Sequence, residues 1–215
     1  MMMLPDWKHY RAIHSRFPPA NLFDTVSDEA ALLLAELEGE TSDRLSRWRE
    51  RVAPEDARFG NGWGSVMASF CYATAGRFNT AAFGAYYCAD SVHTAIAEWS
   101  HHAANVWRDF KFSDEASATV RIYCGRFEQP LVDARQNRRV HHLNDYTASH
   151  AFARRQKVDG QYGILYRSVR RKGGEAAALL RPAATSPVAQ AGHYSVLWDG
   201  HRFSQFAKMS AYENI

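Results

Sequence analysis

The residue types able to do chemistry fall in two blocks. The first runs Ala75-Gly76-Arg77-Phe78-Asn79-Thr80, continues as Gly84-Ala85-Tyr86-Tyr87-Cys88-Ala89, and reaches Glu98. The second holds Arg167, Ser168, Arg170, Arg171 and Lys172. A guanidinium presents a planar fork of donors to phosphate or carboxylate oxygens. A carboxylate steadies developing positive charge or takes up a proton. Each residue also has an ordinary structural role. Arg77 could cap a helix or bridge surface acids, Tyr86 and Tyr87 could be strand residues, and Glu98 could be a solvated helix residue. The basic run reads either as a solvated loop or as a phosphate clamp near Ser168.

Other groups carry less. His101-His102 and His141-His142 are adjacent pairs, and neighbours on a helix point about 100° apart, so neither pair converges on one metal. No pair of His at helical spacing brackets a Glu, and no metal site is expected. The glycines of Arg58-Phe59-Gly60-Asn61-Gly62-Trp63-Gly64 lack the dinucleotide-loop spacing and no strand is read before them, so they read as a loop. Cys71, Cys88 and Cys124 match no zinc pattern and cannot all pair, which fits free thiols in a reducing cytosol.

The elements that must position these residues follow from periodicity. Val92, Ile96, Trp99, Ala103, Val106 and Phe110 recur at helical spacing and predict a helix from about Ser91 to Phe110, with Asp90 as N-cap and Glu98 at the edge of its apolar face. Thr119–Tyr123 alternates as a strand, residues 148–158 read as a short basic helix, and Tyr162–Val169 reads as another strand after the Asp159-Gly160 turn. His193–Trp198 and Arg202–Phe206 flank Asp199-Gly200, a hairpin signal. Residues 1–26 look irregular. Helices are expected from Ser27 to Gly39 and from about Thr41 to Pro54. Helices early and strands late predict an α+β fold.

The bulk numbers bound the rest. With 215 residues, 46% hydrophobic and 23% charged, the chain is of ordinary globular composition and is expected to form one domain. Lys+Arg 26 against Asp+Glu 23 leaves +3, too small a surplus to imply nucleic acid or an anionic membrane. No run approaches the ~20 apolar residues of a membrane helix, and no secretory leader is visible.

The two blocks resemble the RES domain family, named for its Arg, Glu and Ser. Members carry a Gly-Arg-Trp-Asn turn, a Gly and Tyr on the next strand, and an Ala-rich helix with a Glu before His. Here these are Gly76-Arg77-Phe78-Asn79, Gly84 with Tyr87, and Ala95-Ile96-Ala97-Glu98 with His101 and His102. Asp159-Gly160, Ile164-Leu165-Tyr166, Ser168-Val169-Arg170, Gly173-Gly174 and Trp198-Asp199-Gly200 also match, and Tyr10-Arg11 looks like an early family pair. The likeness spans roughly residues 70–206. Phe78 replaces the usual Trp, Glu175 stands where an amide often follows the glycines, and residues 24–60 have no counterpart in compact members.

The resemblance implies an ADP-ribosyltransferase-like fold, a bent, split β-structure surrounded by helices. Here it would form a single domain over residues 1–215, with a core at 70–206 and an extra helical segment at 27–57. It implies NAD⁺ as substrate, cleaved between nicotinamide and ribose, with no metal. Arg11 and Arg77 would hold the pyrophosphate, Tyr87 would stack on the nicotinamide, and Ser168 would donate to phosphate or to the nicotinamide amide. Glu98 would stabilise the cationic ribose and orient the nucleophile. Glu98 and Arg77 would be catalytic. A cytoplasmic bacterial toxin, neutralised by an Xre-type helix-turn-helix antitoxin and able to form a homodimer, would follow, with no direct contact to nucleic acid or membrane. The alternatives are a protein-modifying ADP-ribosyltransferase, a non-catalytic RES-like binding module, and an RNase-type toxin.

Overall fold

The computed structural model describes residues 1–15, 51–111 and 114–210. The helix expected at 27–39 and the body of the one expected from Thr41 lie outside them. Among the described residues, nine strands form one sheet in the order β1-β5-β6-β7-β3-β2-β4-β8-β9. They are β1 (Met2–Met3), β2 (His9–His14), β3 (Tyr86–Ala89), β4 (Ala116–Gly125), β5 (Leu131–Asp133), β6 (Gly163–Arg167), β7 (Glu175–Leu179), β8 (Ala189–Trp198) and β9 (Phe203–Met209). The β5–β6 pair is parallel and the other neighbours are antiparallel. Three α-helices among the described residues accompany them: α1 (Gly64–Cys71), α2 (Val92–Asp109) and α3 (Thr147–Val158). The fold is α+β, as expected, and no described helix is long and apolar enough to cross a membrane.

The sheet nearly divides in the middle. Among the described residues β2 meets β3 at one register pair, Tyr10 with Ala89, whereas β2 meets β4 over six pairs from His9–Gly125 to His14–Val120. Strand alternation then sorts two cores. On one face α1 buries Val66, Met67 and Phe70 with Tyr86, Leu165, Leu179 and Phe127. On the other, Ala153 of α3 packs with Phe78, Ile164, Tyr166 and Ala178, and Ile96 of α2 packs with Val120, Ile122 and Val196.

Several expectations are corrected. Residues 2–3 and 9–14 are strands, not irregular chain. Their pattern is hidden because His9 and Arg11 alternate with apolar neighbours and His9 is itself buried. The expected loop at 58–64 ends where α1 begins. The cap of α2 is Ser91, whose hydroxyl accepts from the Thr94 N–H. Asp90 instead accepts from the Glu175 N–H at 2.7 Å, tying β7 to the entry of α2. The apolar stripe of α2 does not stay buried: Val106 is 51% and Phe110 74% exposed. Trp107 packs on Trp198 and Phe203 instead, because the contact rotates around the helix as it leaves the twisted sheet.

Candidate active site

Beyond the Tyr10–Ala89 pair, β2 and β3 diverge, and a cavity of about 180 Å³ opens over the gap. Tyr10, Arg11 and Ala12 of β2 and Tyr87, Cys88 and Ala89 of β3 form one side. Ala95, Glu98, Trp99 and His102 of α2 cover it, and Arg77, Tyr146 and Tyr166 complete the wall. The cavity therefore gathers Arg11, Arg77, Tyr87 and Glu98 from four separate stretches of chain.

The Gly-Arg-Phe-Asn stretch folds as a tight turn. The Gly76 N–H donates to the Asn79 carbonyl at 3.1 Å. Asn79, 1% exposed, donates from Nδ2 to the carbonyls of Thr74, Thr80 and Phe83. The Tyr87 hydroxyl closes the turn, accepting from the Phe78 N–H at 2.7 Å and donating to Asn79 Oδ1 at 2.8 Å. A Cβ on Gly76 would lie 2.7 Å from both Asn79 Oδ1 and the Tyr87 hydroxyl, so only glycine fits there. Gly84 is required for a different reason, since a Cβ there would enter the α1 backbone at Ser69 and Phe70. The Tyr87 side chain thus has a structural task that the sequence did not suggest.

That turn delivers Arg77, which is 5% exposed. Its Nη1 donates to the carbonyls of Val140 at 3.1 Å and His142 at 2.7 Å, and its guanidinium lies 4.6 Å over the Tyr146 ring. Arg11 bridges the sheet gap. Its Nη1 donates to the Tyr87 carbonyl at 3.0 Å, where the strands no longer pair, and its guanidinium lies 4.7 Å over the Tyr86 ring. Arg11 Nε is buried without a partner.

Glu98 accepts a hydrogen bond from the Ser168 hydroxyl at 2.5 Å. Ser168 Oγ in turn accepts from the N–H groups of Arg170 and Arg171 at 3.2 and 3.1 Å. Burial pushes the Glu98 carboxyl above the ordinary carboxylate range, opposed by Ser168 and by the charges of Arg77 and Arg170. Ser168 is not among the cavity's lining residues and is joined to it by its hydrogen bond to Glu98. Burial and the same arginines hold the His102 imidazole below its usual range. Tyr146, Tyr166, Trp99 and His102 were not singled out as site residues. His102 alone had a usable signal, one helical turn from Glu98.

A larger cleft of about 510 Å³ lies among Glu115, Ser117, Leu197, Asp199 and Gln205. Its charged walls are acidic, which repels an anionic ligand, whereas the smaller cavity sets cations beside a lone carboxylate. The latter is the candidate site.

Fold and cavity define an α+β protein whose split sheet carries an arginine–glutamate–serine constellation. A family model described as "RES domain" matches residues 48–199, and the chain belongs to the RES family. Among solved structures it is similar to a chain of the crystal structure of the M. tuberculosis MbcT–MbcA toxin–antitoxin complex, with TM-score 0.48 and 14% identity over 91% of this chain and 86% of that one. A search of curated proteins finds no match.

Proposed function

We propose that the protein consumes NAD⁺ by breaking the bond between nicotinamide and ribose. The observation that carries this reading is the convergence of Arg77 and Glu98 on one cavity. The bond electrons leave with the nicotinamide nitrogen, and positive charge develops on the ribose. The Glu98 carboxylate, held in place by Ser168, lies where it can stabilise that charge at short range in a poorly solvated site. An oxygen nucleophile then bonds to the ribose carbon and loses its proton. The guanidinium groups of Arg11 and Arg77 suit the adjoining pyrophosphate, and the rings of Tyr87, Tyr146 and Tyr166 give the flat nicotinamide aromatic walls.

Membership of the RES family supports a toxin role, with a helix-turn-helix antitoxin that covers the cavity. The test is direct. Purified protein is incubated with NAD⁺ and nicotinamide is measured, with Glu98→Gln in parallel. Release by the wild type and a loss of roughly a hundredfold or more in the variant support the reading. Equal turnover removes Glu98 from the mechanism. Product analysis with and without phosphate identifies the acceptor, and ADP-ribose attached to protein would favour the protein-modifying alternative.

A further inference from the structure

The cavity measures about 180 Å³, less than the roughly 300–1,000 Å³ of pockets that take up a whole cofactor-sized ligand. On the reading above, it takes the nicotinamide end, and the second base of the dinucleotide must lie outside. Trp99 marks where outside begins. It lines the cavity next to Glu98 and is half-buried. Its ring is parallel to that of His14, with an interplanar angle of 1° and centroids 6.4 Å apart. Phe203 packs against Trp99 at 5.0 Å and is itself wedged against Trp107 and Trp198, so the Trp99 ring is fixed from behind.

His14 is the exposed last residue of β2. It lies on the same strand face as Ala12, a cavity residue, and about 7 Å further along the strand at two residues' rise. An aromatic surface therefore starts at the cavity wall and continues outward to solvent.

We propose that His14, whose ring lies parallel to that of Trp99, is the platform for the purine base of the dinucleotide, the base stacking on the imidazole face. Stacking uses the π-face common to all bases and reads no hydrogen-bonding edge, so the platform selects for the presence of a purine more than for its identity. This inference rests on the NAD⁺ reading and deepens it.

The test compares NAD⁺ with nicotinamide mononucleotide, which has the scissile bond and no purine, and adds AMP, which has the purine and no scissile bond. His14→Ala should raise KM for NAD⁺ roughly five- to a hundredfold at unchanged kcat. It should leave turnover of the mononucleotide unmoved and weaken AMP inhibition by the same factor. His14→Phe, which restores a ring, should recover most of the affinity. An unchanged KM in His14→Ala, or an equal loss for NAD⁺ and the mononucleotide, overturns the platform. If the wild type releases no nicotinamide, the NAD⁺ reading fails. AMP affinity by calorimetry then decides the platform alone, which stands if His14→Ala weakens it and falls if it does not.

Discussion

Two desolvated titratable side chains, the buried His9 on one face of the sheet and the half-buried Glu98 on the helix covering the other, meet opposite fates. His9 is sealed at 0% exposure among Tyr86 and Phe127, with its Nε2 paired to Thr185 Oγ1 at 2.7 Å. Burial pushes its pKa down to about 4, helped by the charge of Arg11. Glu98 is also desolvated, but it faces a cavity, has Arg77 and Arg170 nearby, and carries a hydroxyl donor. Desolvation acts on both, as it disfavours any charge. Only Glu98 has charges and a donor that favour its ionised form, which is what the proposed catalytic role requires.

The stability consequences have opposite signs. A histidine whose folded pKa is depressed contributes stability that is lost as pH falls from its unfolded value towards the folded one. A carboxyl whose folded pKa is raised contributes stability that is lost as pH rises through the folded value. His9 therefore weakens the fold in acid, and Glu98 weakens it at working pH, where the proposed reaction needs the charge.

Glu98→Gln tests this contrast with the largest expected effect. It should cost about 10²–10³-fold in nicotinamide release. The melting temperature near neutral pH should hold or rise, because an amide avoids the cost of a desolvated charge. Parallel activity and melting assays check it, and a variant that loses stability along with activity would erase the distinction between the two regions.

His9 gives the next largest effect. Between pH 6.5 and about 4 its protonation should remove about 3 kcal/mol of stability. Urea unfolding of wild type and His9→Asn at pH 7 and pH 4.5 measures this. The variant should show a smaller loss on acidification and keep its activity at pH 7. Equal pH dependence in the two proteins would mean that His9 is not held neutral in the core.

How much of this was legible depended on whether a signal was local. The span of α2, the hairpin of β8 and β9 around Gly200, and the Gly-Arg-Phe-Asn turn are short-range patterns, and they appear at the expected places. The run Glu175–Leu179 gave no strand signal, since alanine favours helix. It becomes β7 because it lies between β6 and β3, where Ala176–Leu179 are fully buried and small side chains suit the tight packing. Tyr146 and Tyr166 reach the cavity only through tertiary folding, and no spacing relative to Arg77 or Glu98 reveals them. Ser168 was singled out as a site candidate, but its hydrogen bond to Glu98 was not foreseen, because the two lie on distant segments.

Tyr87, on the β3 edge between the two regions, should give a mid-sized effect. Tyr87→Phe keeps the ring against the cavity and removes the hydroxyl, leaving the Phe78 N–H and Asn79 Oδ1 without that partner. A loss of about 2 kcal/mol in unfolding free energy is expected. If the ring serves the nicotinamide, KM for NAD⁺ should change little while the melting temperature falls. A raised KM at full stability would instead place the hydroxyl against substrate.

The smallest effect separates two roles for Ser168. Its hydroxyl donates to Glu98 Oε1 and thereby favours the ionised carboxylate. Ser168→Ala removes that donor, so the Glu98 carboxyl should rise further above the ordinary range. Because the proposed reaction needs the carboxylate ionised, the acid limb of kcat/KM should move to higher pH. The plateau above it should fall by roughly fivefold at most, since one hydrogen bond is lost while the charge remains. Had Ser168 donated to substrate phosphate or to the nicotinamide amide, the whole profile would drop without moving along the pH axis. A pH profile of the variant distinguishes a displaced limb from a lowered plateau, and with it a positioning residue acting through Glu98 from one that touches the ligand.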